Sequence, residues 1–356
     1  MINAFAYSAN PARILFGGGR LAELPAEIDR LGLQRVLVLA TPQQAADAEA
    51  LAEGLGDRVV GTFTRAAMHT PVEVTERALA VVAELEVDGL VAVGGGSTTG
   101  LAKAIAFRTD LPQIVAPTTY AGSEMTGILG ETEAGTKVTR SSPRVLAEVV
   151  IYDVDLTLTL PARISGTSGI NAIAHAVEAM YARDRNPVTS LLALEAVEVL
   201  SSALPRISDD LTDREARTGA LYGAWLAGTC LGSVGMSLHH KLCHTLGGSF
   251  DLPHSETHAV LLPHAVAYNA PAIGDVVARL SDVLGGGNPA SALYDLAGRV
   301  GAKRSLRELG MREADIDEAT RRALSNPYWN PRALDDEAIR DLIARAWAGE
   351  APLMEG

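Results

Sequence analysis

Along the first 160 residues, short apolar runs alternate with stretches in which apolar positions recur every three to four residues. A short run rich in Val, Leu and Ile marks a strand buried on both faces, and the longer recurrence marks a helix with one apolar stripe. The pattern predicts strands over 13–16, 35–40, 59–63, 89–93, 113–117 and 149–152, with helices over 21–31, 42–55, 71–85 and 99–107. Residues 122–137, rich in Gly, Thr and Glu, read as loop and hairpin. From Pro161 the strand pattern stops and helical periodicity takes over, at 164–182, 188–207, 213–227, 238–246, 256–269, 275–284, 290–300, 313–324 and 335–348. Alternating strands and helices close into a doubly wound, mostly parallel sheet. The expected fold is therefore an α/β N-terminal domain over 1–160 that carries a dinucleotide, followed by an all-helical substrate and catalytic domain over 161–356. Ligands collect in clefts between such domains.

Two strand ends carry candidate nucleotide chemistry. Gly94-Gly95-Gly96-Ser97 joins a buried strand to a helix, and absent side chains let backbone N–H groups reach a phosphate at a helix N-terminus. The next strand runs into Pro117-Thr118-Thr119-Tyr120-Ala121-Gly122-Ser123-Glu124, where Thr118, Thr119, Tyr120 and Ser123 supply hydroxyls at a carboxyl end. An NAD-selecting site places an acid after an earlier strand, yet this chain reads Ala40-Thr41-Pro42 there. Thr41 in that place does not repel a 2′-phosphate, so NADH and NADPH are both expected. Lys137 is a further candidate for the cofactor.

Histidine is concentrated elsewhere. Six of the eight, His239, His240, His244, His254, His258 and His264, fall between Gly235 and His264, and His175 lies upstream. Asn171 and His175 stand four apart on a helical pattern, as do His240 and His244, and His254 follows a Gly-Gly break and a proline. Two helical pairs and a loop residue can converge on one point, for a metal or for proton transfer. His239, His258 and His264 are read as supporting residues.

Composition narrows the partners. A net charge of −13 argues against nucleic acid and membrane surfaces, and it means that an anionic substrate needs a local cationic clamp. Lys241, Lys137 and Arg140 lie in or beside the motif loops and are candidates for that clamp. Two cysteines make no disulfide framework. No apolar run reaches the roughly 18 residues of a membrane helix and the first residues lack a signal-peptide pattern, so the expectation is a cytoplasmic protein.

GGGS at 94–97, PTTYAGSE at 117–124, GINAIAHAVE at 169–178 and HHKLCHTLGGSFDLPH at 239–254 together resemble the iron-containing (group III) alcohol dehydrogenases. The resemblance covers nearly the whole chain. It implies the dehydroquinate synthase-like fold of that family, a homodimer, and a divalent metal held by one Asp and three His. Carried over by motif, that set is Asn171, His175, His240 and His254, with the Asp replaced by an amide. The family's glycine motif also continues to an Asp where GGGSTTGLAK has Gly100. These departures, with Asn326-Pro-Tyr-Trp-Asn-Pro-Arg332, look like the maleylacetate reductase branch, whose members reduce a carbon–carbon double bond of a small dicarboxylate with NADH or NADPH. The resemblance thus implies a metal site that is lost or weak, with His244 or His240 as proton donor, His175 and His254 as hydrogen-bonding partners, and Asn171, Lys241 and Arg140 toward substrate. A metal-dependent alcohol or polyol dehydrogenase of the same family is the alternative. A lyase resembling dehydroquinate synthase and a non-catalytic nucleotide-binding module are more distant ones.

Overall fold

The computed structural model describes residues 5–10, 12–134 and 136–353, with the side chains of Thr136 and Lys137 left out. The chain divides into two compact units, one from Ala9 to Leu160 and one from Pro161 onward that also takes residues 5–8.

The first unit holds β1 (Arg13–Gly17), β2 (Val36–Leu39), β3 (Val59–Phe63), β4 (Gly89–Gly94), β5 (Gln113–Pro117), β6 (Ile128–Glu133), β7 (Thr136–Ser141) and β8 (Val149–Asp153). Six strands form a wholly parallel sheet in the order β1-β8-β5-β4-β2-β3, while β6 and β7 pair as a separate antiparallel hairpin. β2, β4, β5 and β8 are buried along their full length, as their unbroken apolar runs require. The crossovers are α1 (Leu24–Arg30), α2 (Ala45–Leu55), α3 (Val72–Glu84) and α4 (Gly96–Thr109). Leu15, Ile28, Val36, Val38, Val91 and Ile114 belong to one core that joins α1 and the sheet. The register aligns Leu39 with Ala92 and Gly94 with Pro117, so the ends of β2, β4 and β5 lie side by side.

The second unit is helical: α5 (Ala162–Tyr181), α6 (Pro187–Asp209), α7 (Arg214–Leu231), α8 (Leu238–Phe250), α9 (His254–Asn269), α10 (Gly274–Val283), α11 (Pro289–Arg299), α12 (Ile316–Ser325) and α13 (Asp336–Ala348). α9 is its axis, touching α5, α8, α11 and α13, and it is buried from Glu256 to Asn269. α5, α6 and α7 pack on one another. Gly169 permits the closest of these approaches, because a Cβ there would lie 2.4 Å from Leu204 Cδ2. By length and composition α6 alone among the described helices could cross a membrane, yet it packs against α5, α7, α10 and α11.

Of the boundaries that differ from the sequence pattern, two bear on the site. α4 begins at Gly96, inside the glycine turn, instead of at 99. α8 does not stop at Leu246 but runs through Gly247 and Gly248 to Phe250, ending on Asp251 in the left-handed region (φ 54°). Each glycine costs roughly 1 kcal/mol of helix propensity. The buried face of Leu242, Cys243 and Leu246 offsets that cost. His254 is consequently not a loop residue, because it opens α9.

Candidate active site

At the carboxyl ends of β2, β4 and β5 the first unit builds a cradle of small and hydroxylic side chains. A Cβ on Gly94 would lie 2.3 Å from Thr98 Oγ1 and 2.8 Å from Gln44 Oε1, and one on Gly95 would lie 2.9 Å from Thr119 Cγ2. Gly96 faces open space and is exposed, while Ser97 beside it is half-buried. No side chain caps α4, so its first-turn amides are donors suited to a phosphate. Thr118 N–H donates to Gly94 O at 3.0 Å, tying the two loops together. Thr41 Oγ1 donates to Gln44 Oε1 at 3.3 Å, and Gln44 Nε2 donates to Thr118 Oγ1 at 3.4 Å. Gln44 is thus a cradle residue that the sequence pattern did not single out.

The loop after β5 is held from beneath by Lys103. Its buried ammonium donates to Thr126 O (2.8 Å), Thr126 Oγ1 (2.9 Å) and Ile128 O (2.9 Å), and also to Ser123 O. Burial pulls its pKa down to about 7, with Glu124 acting in the opposite direction. Glu124 is raised by the same burial and accepts from Tyr152 Oη at 2.7 Å. Tyr120 is fully buried, so it packs the loop and does not present its hydroxyl to solvent. Ser123 is half-buried.

In the helical unit six imidazoles form one connected cluster. α5 contributes His175, α8 contributes His239, His240 and His244, and α9 contributes His254 and His258. His175 Nδ1 meets His240 Nε2 at 2.8 Å, and His239 Nε2 meets His258 Nδ1 at 2.9 Å. Ring centroids are 4.4 Å apart for His254 and His258, 6.0 Å for His240 and His244, and 6.5 Å for the stacked pair His244 and His254. Burial, followed by the neighbouring imidazoles, pushes His239 and His258 well below the ordinary histidine range. His244 and His254 are the half-buried members. His264 lies apart, near Arg345 and Asp341. His175, His240, His244 and His254 thus lie in one cluster, with His239 and His258 on its buried side.

Two further residues belong here. Tyr328 Oη lies 3.0 Å from His244 Nδ1, and the Lys241 ammonium sits 5.7 Å from the Tyr328 ring centre. Burial lowers Lys241 and raises Tyr328. Glu178, one turn after His175 on α5, accepts from His240 Nδ1 at 2.7 Å. The spacing His-x-x-Glu on a helix was its only trace in the sequence.

The family's metal can be tested against these donors. Asn171 is buried, and its Oδ1 has no hydrogen-bond partner among the described residues. It aims an uncharged amide where a carboxylate would bring charge. His175 Nδ1 and His240 Nε2, at 2.8 Å, are closer than the ~3.3 Å that two nitrogens keep on one tetrahedral zinc. In this arrangement these two nitrogens bond one another and are not spaced as a pair of ligands on one tetrahedral ion. His239, Cys243 and His258 also place ligand atoms within 4.8 Å of one another. The same distance argument applies to their 2.9 Å nitrogen pair.

The cationic candidates separate. Lys241 stands in the cluster. Arg140 on β7 is engaged by Glu131 at 3.5 Å and Glu133 at 3.9 Å. The Lys137 side chain lies outside the described residues.

A parallel-sheet nucleotide cradle joined to a helical unit with clustered imidazoles defines a nicotinamide-type oxidoreductase. The chain belongs to the iron-containing alcohol dehydrogenase family: that family's model, "Iron-containing alcohol dehydrogenase", matches residues 11–154, and its C-terminal model matches 165–347. Within it, the chain is 57% identical over 348 residues to the maleylacetate reductase of Rhizobium sp. strain MTP-10005, covering 98% of this chain and 99% of that one. It is 52% identical over 349 residues to the maleylacetate reductase of Sphingobium indicum, covering 98% and 99%. The crystal structure of maleylacetate reductase from Agrobacterium tumefaciens superposes with a TM-score of 0.95 at 56% identity, over 99% of this chain and 100% of that one.

Proposed function

We propose that this chain reduces the carbon–carbon double bond of maleylacetate to 3-oxoadipate with NADH or NADPH, in bacterial breakdown of aromatic compounds such as resorcinol and hydroxyquinol. The observation that carries this reading is the state of the inherited metal site. An amide replaces its carboxylate, and its imidazoles are hydrogen-bonded to one another. An alcohol dehydrogenase must polarise one oxygen strongly, the task a metal performs. A double bond conjugated with a ketone does not require this. Hydride from C4 of the dihydronicotinamide adds to the carbon β to the ketone, the C=C π pair shifts toward the carbonyl, and an enolate forms. One proton delivered to the α carbon completes the product and leaves NAD(P)⁺.

His244 is the proposed proton donor. His240 has both ring nitrogens bonded within the protein, to Glu178 and to His175, and is buried, whereas His244 is half-buried with Tyr328 on its Nδ1. His175 and His254 line the same cluster as hydrogen-bonding partners for the enolate. Lys241 is the proposed clamp for one substrate carboxylate. The cofactor binds on Gly94–Ser97, Thr118 and Thr119, with Thr41 and Gln44 below. Divalent metal is absent or weakly held, and the enzyme is a cytoplasmic homodimer.

The test follows nicotinamide absorbance with maleylacetate and with simple aldehydes, with and without EDTA. Rapid oxidation with maleylacetate, indifferent to EDTA, is expected. Preference for aldehydes with EDTA-sensitive turnover would instead support a metal-dependent alcohol dehydrogenase. In the same assay His244→Ala lowers kcat well over tenfold, and near-normal turnover would remove His244 from the mechanism.

A further inference from the structure

Glu178 sits at the junction of α5 and α8, two of the three helices that carry the cluster. It is fully buried on α5, and each of its oxygens is committed. Oε1 accepts from His239 N–H at 2.8 Å, and Oε2 accepts from Ser237 N–H at 2.8 Å and from His240 Nδ1 at 2.7 Å. Ser237 and His239 lie at the start of α8, which has no side-chain cap of its own, and Ser237 Oγ is itself without a partner. A carboxylate from α5 therefore performs the capping that a helix N-terminus requires.

Backbone amides can only donate, so both Glu178 oxygens are acceptors. The Nδ1 that shares Oε2 with an amide is then the protonated nitrogen of His240. In a neutral imidazole this leaves Nε2 as a lone pair. That lone pair faces His175 Nδ1 at 2.8 Å, so His175 must donate there and is protonated on Nδ1 as well. One carboxylate sets the proton direction of two successive rings. It also holds the end of α8 from which His244 projects one turn after His240.

We infer that Glu178 is the positioning residue of this site, fixing His240 and His175 in their Nδ1–H tautomers and registering α8 against α5 so that His244 is aimed for proton delivery. Glutamine is not equivalent to it. The closest groups around the carboxylate, His239 N–H, Ser237 N–H and His240 Nδ1, act as donors, with the Tyr181 hydroxyl at 3.5 Å from Oε1, so an amide NH₂ would confront either His239 N–H or the pair Ser237 N–H and His240 Nδ1. The catalytic consequence rests on the function proposed above, whereas the tautomer assignment does not.

The experiment is long-range ¹H–¹⁵N spectroscopy of histidine-labelled protein, paired with kinetics of Glu178→Gln. Wild type is expected to show His240 and His175 protonated on Nδ1. E178Q should lose the Nδ1–H signature of His240 and lower kcat at least about tenfold, with KM for NADH changed less than about twofold. Wild-type His240 protonated on Nε2 overturns the inference, and so does an E178Q protein that keeps both the signature and the turnover. If E178Q does not fold, the wild-type spectrum alone decides. Wild type that is inactive on maleylacetate but shows the expected tautomers would remove the proposed reaction and leave the assignment standing.

Discussion

At the scale of single residues, Asn171 stands where the resemblance to the family's motif implies a metal-binding Asp. Asn171 offers a neutral oxygen with no hydrogen-bond partner among the described residues, and His175 and His240 bond one another. Placing a carboxylate there restores the charge that hard and borderline divalent ions favour. Glu178 already holds Nδ1–H of His240, as a carboxylate behind a metal-bound imidazole does. Asn171→Asp should therefore bind Zn²⁺ or Fe²⁺ at least about tenfold more tightly than wild type, since outer-shell and ligand changes of this kind are worth about 10- to 100-fold. Metal content after dialysis and calorimetric titration read this directly, without any assay of turnover. Equal affinity in the two proteins would show that the cluster is not an inherited metal site.

At the scale of elements, the sheet was legible because its strands are buried on both faces and leave unbroken apolar runs. β3 and β5 fall where their runs of residues begin and end, and β1, β2, β4 and β8 agree within one residue. Helix ends were less legible wherever tertiary packing overrides local propensity, as at Gly247 and Gly248 inside α8. The histidine cluster could be read from spacing, since positions four apart share a helix face. Gln44, Glu178 and Tyr328 were not singled out: Gln44 and Glu178 lie within three residues of Thr41 and His175 but have ordinary local settings, and Tyr328 reaches His244 from an element distant in sequence. The end of β2 bears on cofactor choice. Its continuation is Ala40 and Thr41, and the nearest polar side chain is the neutral Gln44, 3.3 Å from Thr41 Oγ1. Residues 40–44 carry no carboxylate to grip a ribose 2′-hydroxyl or to repel a 2′-phosphate. Steady-state kinetics should give kcat/KM values for NADH and NADPH within about a hundredfold of each other, or roughly 2.7 kcal/mol. A larger ratio would mean that some other residue performs the selection.

At the scale of the whole molecule, histidines buried as neutral groups couple folding to pH, and His264 isolates the effect. It lies on α9, the axis of the helical unit, away from the cluster, with Nε2 buried and unpartnered. Burial lowers its pKa to about 4, the Arg345 charge acts in the same direction, and Asp341 opposes both. In the unfolded chain the ring titrates near the ordinary histidine value of 6.5. Above that pH neither state binds a proton there, and His264 contributes no slope. Between about 6.5 and about 4 the unfolded chain takes up a proton that the folded one refuses, so stability falls as pH falls. Below about 4 both states are protonated and the loss levels off, at a total of about 3 kcal/mol for this group. Urea denaturation of wild type and His264→Gln across that window measures it. The variant should be less steep than wild type between those two pH values, whatever its absolute stability. Parallel curves would mean that His264 is protonated in the folded protein, its charge met by Asp341.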